Sequence, residues 1–215
     1  MNLLSLAETA VLYAVPMILA ITLHEAAHGY VARMFGDRTA EMMGRITLNP
    51  IKHIDPVGTI AVPLILFLVS KFAGGPAFFF GWAKPVPVNF GNLRNPKQDM
   101  FWVAFAGPLM NLLMALIWAL VYKFAPGDAV AAMAQIGVTV NVFLMVLNLV
   151  PIPPLDGGRI AVSVLPHSLA LAVARLEPYG MFIIILLVAI PGLMNATLLP
   201  VAGTVLDLIS SVFGI

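Results

Sequence analysis

An all-α polytopic membrane protein is the fold class this sequence predicts, and three observations carry that expectation. Of its 215 residues, 61% are hydrophobic and only 10% are charged, where a soluble domain of this size would be about a quarter charged. Mean hydropathy is +1.00. Several apolar runs reach the roughly 17–25 residues that cross a bilayer as helix. Polar connections between the runs are short, so the chain reads as one membrane-embedded domain over residues 1–215. The runs allow about four to six spanning helices, with a re-entrant or interfacial segment and a short β-like element between the first two long ones. The same composition excludes other classes. A net charge of +1 with no basic tract offers nothing to nucleic acid. There is no cysteine, hence no disulfide framework and no thiolate metal site. A metal here would use His and carboxylate, the ligand set of catalytic zinc.

The elements follow in order. MNLLSLAETAVLYAVPMILA lacks the positive region of a signal peptide, and its apolar run continues into two histidines instead of ending at a cleavage site. It reads as a retained spanning helix from about Ala7 to Phe35, stopped at Gly36-Asp37. The next stretch, RTAEMMGRITLNPIKHIDPVGT, is the most polar in the chain, with turn signals at Gly44, Asn49-Pro50 and Asp55-Pro56. Arg45 to Leu48 is its candidate strand. Thr59 to Phe72 is apolar, contains Pro63 and is short for a span. Residues 73–97 are rich in Gly, Pro and aromatics. Pro85 and Pro87 argue for extended chain or an edge strand, and Trp82 with the phenylalanines before it suits a membrane interface. Long helices are expected at about Asp99–Phe124 and Ala131–Val150, the second ending at PIPP (Pro151 to Pro154). Two more apolar runs, about 169–190 and 193–213, complete the chain, which has no internal repeat.

Residues 24–28 read HEAAH, an H-E-x-x-H motif inside the first apolar run. On a helix, positions four apart lie nearly above one another, so His24 and His28 can grip one metal ion. Glu25 sits about 100° round from His24, beside the ion's open position, where it can take a proton from bound water. Ala26 and Ala27 favour helix and are too small to crowd the site. Zinc would bring that water's pKa towards about 7. A charged group at mid-bilayer costs about 2.5–3.5 kcal/mol on insertion scales, and ionisable groups found there are functional by default. Two histidines are too few, because catalytic zinc takes three protein ligands and a water. His53, His167 and the acids compete for the third place. Asp156 stands out because it follows a spanning helix in NLVPIPPLDGGRI, where three prolines break the helix. Irregular backbone at membrane depth is tolerated only inside protein or beside a water-filled cavity. On the residues alone, a polar turn closing a helix is the simpler account of Asp156.

HEAAH together with a distant N-x-x-P-x-P-P-L-D-G-G (Asn148 to Gly158) resembles the site-2 protease family of intramembrane zinc metalloproteases. The stretches NPIKHIDPVGT, FGWAKPVPVN and AGPLMN resemble its compact prokaryotic branch, so the likeness runs from Leu23 to about Arg159. It implies that Asp156 is the third zinc ligand beside His24 and His28, one zinc per chain. It implies that Glu25 is the catalytic base and that Asn148 handles substrate. The substrate would be the transmembrane segment of another protein in the lipid bilayer of a prokaryotic cell (inner) membrane. A catalytic core would span about 7–160, with accessory helices at about 168–213; no inserted regulatory domain is visible. The alternative is a zinc transporter or sensor without protease activity, for which one expects ionisable groups in several helices and often an internal repeat.

If Asp156 shares a metal with His24 and His28, an even number of crossings separates them. The helices at 99–124 and 131–150 supply two, so Thr59–Phe72 must dip in and return or lie along the interface. Eight of the eleven Lys and Arg fall between the first two long helices, which places residues 33–98 and the active site on the cytosolic side. Four further features remain, three of them with more than one reading. Asn111 either hydrogen-bonds between helices or donates to the developing oxyanion. His53 is either a loop histidine or a group that orients substrate or approaches the zinc. His167 reads as surface. Residues 78–90 either clamp an extended substrate by strand addition or anchor the chain at the interface.

Overall fold

The computed structural model describes residues 3–72 and 81–215, which are helical apart from turns and one extended segment, with no strand among them. The helices are α1 (Leu3–Met34), α2 (Thr39–Met42), α3 (Val62–Phe72), α4 (Pro96–Lys123), α5 (Asp128–Asn148), α6 (Asp156–Val164), α7 (His167–Ala174), α8 (Glu177–Ala189), α9 (Pro191–Ala196) and α10 (Leu198–Phe213). Three of them are long and apolar enough to cross a membrane: α1 over Val11–Met34, α4 and α5. The run expected at 169–190 is instead two helices, α7 and α8, bent by 64° at their junction; they make a fourth span only if the pair is counted as one. This is an integral membrane protein built on a three-helix core.

Helix starts and stops follow local chemistry. α1 ends where Gly36 takes φ +109°, a conformation that costs glycine least. α4 opens with Pro96, whose missing N–H is no loss in a first turn. There the Asp99 carboxylate reaches back to accept the Asn95 N–H at 2.6 Å. α4 and α5 are antiparallel, and Gly137 of α5 lies flat against the Trp118 indole, where a Cβ would come within 2.4 Å of the ring. Met114, Ala115, Trp118 and Ala119 of α4 pack with Val138, Val142 and Met145 of α5, and α10 seals that face with Leu198, Ala202 and Ile209. α1 is also antiparallel to α4: His24 meets Asn111 and His28 meets Val103. α1 and α5 therefore run parallel, and their C-terminal ends lie at the same side.

The connection between α1 and α4 departs from one expectation and supports another. Arg45 to Leu48 is not a strand. The Arg45 N–H closes the end of α2 on Ala40 O, and its buried guanidinium donates to the Lys84 and Pro85 carbonyls. A side chain thus occupies the place a pairing strand would need. The apolar run is a turn of wide helix (Pro56–Ala61) leading into α3. By Trp82 the chain is back at its starting point: Trp82 N–H donates to Gly58 O at 3.1 Å, Thr59 Oγ1 donates to Trp82 O, and Lys84 N–H donates to His53 O at 2.8 Å. The excursion begins and ends at one place, so it adds no net crossing between α1 and α4.

Candidate metal centre

α1 presents His24 and His28 on one face, one turn apart, with ring planes 85° apart. Both Nε2 atoms point into the same space, 3.1 Å from each other. Asp156 closes the third side, with Oδ2 3.2 Å from His24 Nε2 and Oδ1 3.3 Å from His28 Nε2. All three residues are buried. The short loop after α5 brings Asp156 there because its glycines leave room. A Cβ at Gly157 would come within 2.3 Å of Leu149 O, and one at Gly158 within 2.3 Å of Pro153 N. The first turn of α6 can therefore fold tightly onto the end of α5, with Asp156 as its first residue, where a helix N-terminus favours a carboxylate.

The other nitrogen of each ring decides what the convergent atoms can be. His28 Nδ1 donates to the Val103 carbonyl at 2.7 Å. His24 Nδ1 donates to Asn111 Oδ1 at 2.6 Å. A neutral imidazole carries one hydrogen, so both Nε2 atoms face each other with lone pairs and nothing to share. Asp156 Oδ2 is likewise buried without a hydrogen-bond partner. Two ring nitrogens and a carboxylate that converge in a buried place suit a cation.

Dimensions suit a small cation. Ligand atoms about 2.0–2.1 Å from zinc at tetrahedral angles stand about 3.3 Å apart; the two Nε2 atoms are 3.1 Å apart, with one Asp156 oxygen 3.2 Å from His24 and the other 3.3 Å from His28. α4 supplies the space. A Cβ built on Gly107 would lie 2.4 Å from His28 Nε2 and 2.6 Å from His24 Nε2, close to a metal's own bonding distance from both. Gly107 is the residue whose missing side chain leaves the ion its room. Among the described residues, His24, His28 and Asp156 are the group of three whose ligand atoms can meet on one ion.

Peptidase family M50 matches this chain over residues 12–138 and 126–190. The chain belongs to that family. It is 38% identical over 213 residues to a protein of Bacillus subtilis named putative zinc metalloprotease YwhC, covering 93% of this chain and 91% of that one. It is 31% identical to the putative zinc metalloprotease Rip2 of Mycolicibacterium smegmatis, over 82% of this chain and 66% of the relative. A shorter match, 37% identical over 45% of the chain and 49% of the relative, is to the putative zinc metalloprotease MJ0611 of Methanocaldococcus jannaschii. No solved structure matches. Membership of M50, the site-2 protease family, makes the protein a metalloprotease of the membrane at the level of its family.

Within this M50 chain, Glu25 is half-buried beside His24, and its Oε2 accepts the Val86 N–H at 2.7 Å. Residues 81–89 are extended, as Pro85 and Pro87 suggested. The segment is pinned along one edge: the N–H groups of Trp82, Lys84 and Val86 go to Gly58, His53 and Glu25. Of the residues between these, Pro85 and Pro87 have no N–H to offer a further partner. Phe78 to Phe80 lie outside the described residues.

The other expected residues separate. Asn111 is fully buried; its amide nitrogen donates to Asn141 Oδ1 at 3.0 Å and approaches Ala20 O at 3.4 Å. These contacts are hydrogen bonds between helices. Asn148 closes α5, half-buried, and donates to Leu144 O of its own helix at 3.0 Å. His53 is 2% exposed, ends a turn at Pro50–His53 and donates from Nε2 to Thr47 O; it does not join the ligand cluster. His167 is exposed at the start of α7. Three participants went unnoticed in the sequence: Asn141, Val103 and Val86. Asn141 carried the same signal as Asn111, an amide in a spanning helix. The other two act through backbone groups, which no side-chain pattern reveals.

Proposed function

We propose that the protein is an intramembrane zinc endopeptidase that hydrolyses a peptide bond in or near the transmembrane segment of another membrane protein. The observation that carries this reading is the buried convergence of His24, His28 and Asp156 on the space left by Gly107, at the C-terminal ends of two parallel spanning helices. His24 and His28 would hold zinc through Nε2 and Asp156 through its carboxylate. Bound there, zinc supplies Lewis-acid polarisation of the scissile carbonyl and a water acidified to a pKa of about 7.

The remaining work falls to the chain. Glu25 is held by Val86 through Oε2, which leaves Oε1 to take the proton of the attacking water and pass it to the leaving amide nitrogen. The peptide bond breaks, giving a carboxylate and an amine. Asn148, in the last turn of α5, is the candidate for holding the substrate backbone. A transmembrane helix hides its peptide bonds, so the substrate must unwind locally. Segments with helix-weakening residues such as Gly are the preferred substrates.

The test uses purified wild type and Glu25→Gln, both zinc-loaded, with a panel of single-span substrates in detergent or liposomes. Wild type cleaves, and Glu25→Gln loses at least about a hundredfold in rate while binding zinc equally well. Equal cleavage by both removes Glu25 as base. Zinc binding without cleavage across the panel favours the transporter or sensor reading.

A further inference from the structure

The hydrogen bond from His24 to Asn111 raises a question that the ligand geometry leaves open. An asparagine side chain can present either its oxygen or its NH2 to a neighbour, and only the oxygen leaves His24 Nε2 free for a metal. We propose that Asn141, on α5, decides the matter: it fixes the direction of the Asn111 amide and so the nitrogen of His24 that carries the hydrogen. This rests on the metalloprotease reading and extends it to a positioning residue on a second helix.

Asn141 is fully buried and lies 2.8 Å from the Gly137 carbonyl of its own helix. A carbonyl only accepts, so Asn141 must turn Nδ2 towards Gly137 and Oδ1 the other way. Asn141 Oδ1 then accepts from Asn111 Nδ2 at 3.0 Å. The Ala20 carbonyl, 3.4 Å from the same nitrogen, favours the same orientation more weakly. Asn111 Oδ1 is left for His24, 2.6 Å away, which must donate from Nδ1. Reversing the amides would bring Asn141 Oδ1 against Gly137 O, oxygen on oxygen.

His24 needs this constraint more than His28 does. His28 Nδ1 faces a backbone carbonyl, which cannot turn over. Without metal, His24 also has a competing partner: Asp156 Oδ2, 3.2 Å from Nε2, would draw a hydrogen onto that nitrogen. The Asn141–Asn111 relay opposes that pull and keeps the coordinating lone pair exposed before the ion arrives.

The experiment labels the four histidines with nitrogen-15 in zinc-free, detergent-solubilised full-length protein. Long-range proton–nitrogen correlation then reads each ring's tautomer, and zinc affinity is titrated against a competing chelator. In wild type, His24 and His28 should both carry hydrogen on Nδ1. In Asn141→Leu, or Asn141→Ala if leucine does not fit, His24 should move wholly or partly to the Nε2–H form while His28 stays unchanged. Zinc affinity should fall about 10- to 100-fold, the range typical for partners of metal-bound histidine. Adding Asn111→Asp to the Asn141 variant should restore both, since a carboxylate can only accept. His24 unmoved in the Asn141 variant, or affinity lost with no rescue by Asn111→Asp, overturns the relay. Failure of the wild type to bind zinc would instead overturn the metalloprotease reading, and the tautomers would still decide the relay.

Discussion

At the scale of single residues, the site depends as much on an absent side chain as on those present. Gly107 keeps open the space between His24 and His28. Gly107→Ala should leave helical content intact yet lower zinc affinity by at least about tenfold, since overpacking a filled site costs about 1–3 kcal/mol; titration against a chelator checks it. Gly107→Ala binding zinc like wild type would mean that the ion sits elsewhere. How legible this site was varied residue by residue. His24, Glu25 and His28 could be read from helical spacing alone, because four residues make one turn. Asp156 could not: it is remote in sequence, and only its resemblance to a family motif separated it from other acids. That the space at Gly107 adjoins both rings depends on where two side chains of another helix point.

At the scale of elements, the extended segment 81–89 ties the loop region to α1 from two directions. Val86 reaches Glu25, and three residues on, the Asn89 N–H donates to Asp37 Oδ2 at 2.6 Å, just past the end of α1. Burial pushes the Asp37 carboxyl upward, but donors from Thr39, Asn92 and the Asn89 backbone outweigh it and hold the group below its usual range. A depressed carboxylate stabilises the fold above its unfolded pKa of about 3.9. That contribution is complete at neutral pH and fades as pH falls through the lower native value. Asp37→Asn should therefore lower stability by about 2 kcal/mol at pH 7, with the difference from wild type shrinking at strongly acid pH; melting curves at both pH values test it. The spanning helices were legible to within a few residues, because long apolar runs have one reading in a membrane. The β-like element was misread because Arg45 to Leu48 looks extended in sequence, while Arg45 meets the carbonyls of Lys84 and Pro85 through its side chain instead of its backbone. The break between α7 and α8 was hidden because hydropathy continues through the bend.

For the whole molecule, sharing a metal between α1 and the residue after α5 requires an even number of crossings, and the contact of Trp82 with Gly58 meets that requirement. With the basic residues gathered in this region, cysteine introduced at Asn92, which is exposed, should react with an impermeant reagent only after the cells are opened. Labelling from outside intact cells would reverse the orientation. The division of the ligands has a further, mechanical consequence. Two come from α1 and the third from the first residue of α6, so a bound ion is a cross-link between distant parts of the chain. An ion that binds only the folded form adds stability by mass action, about 4 kcal/mol at a thousandfold excess over its Kd. Chelation should accordingly lower the melting temperature and speed proteolytic nicking of the Pro151–Leu155 turn, with both effects reversed by added zinc. Metal supply would then govern how long the folded chain persists as well as whether it can act.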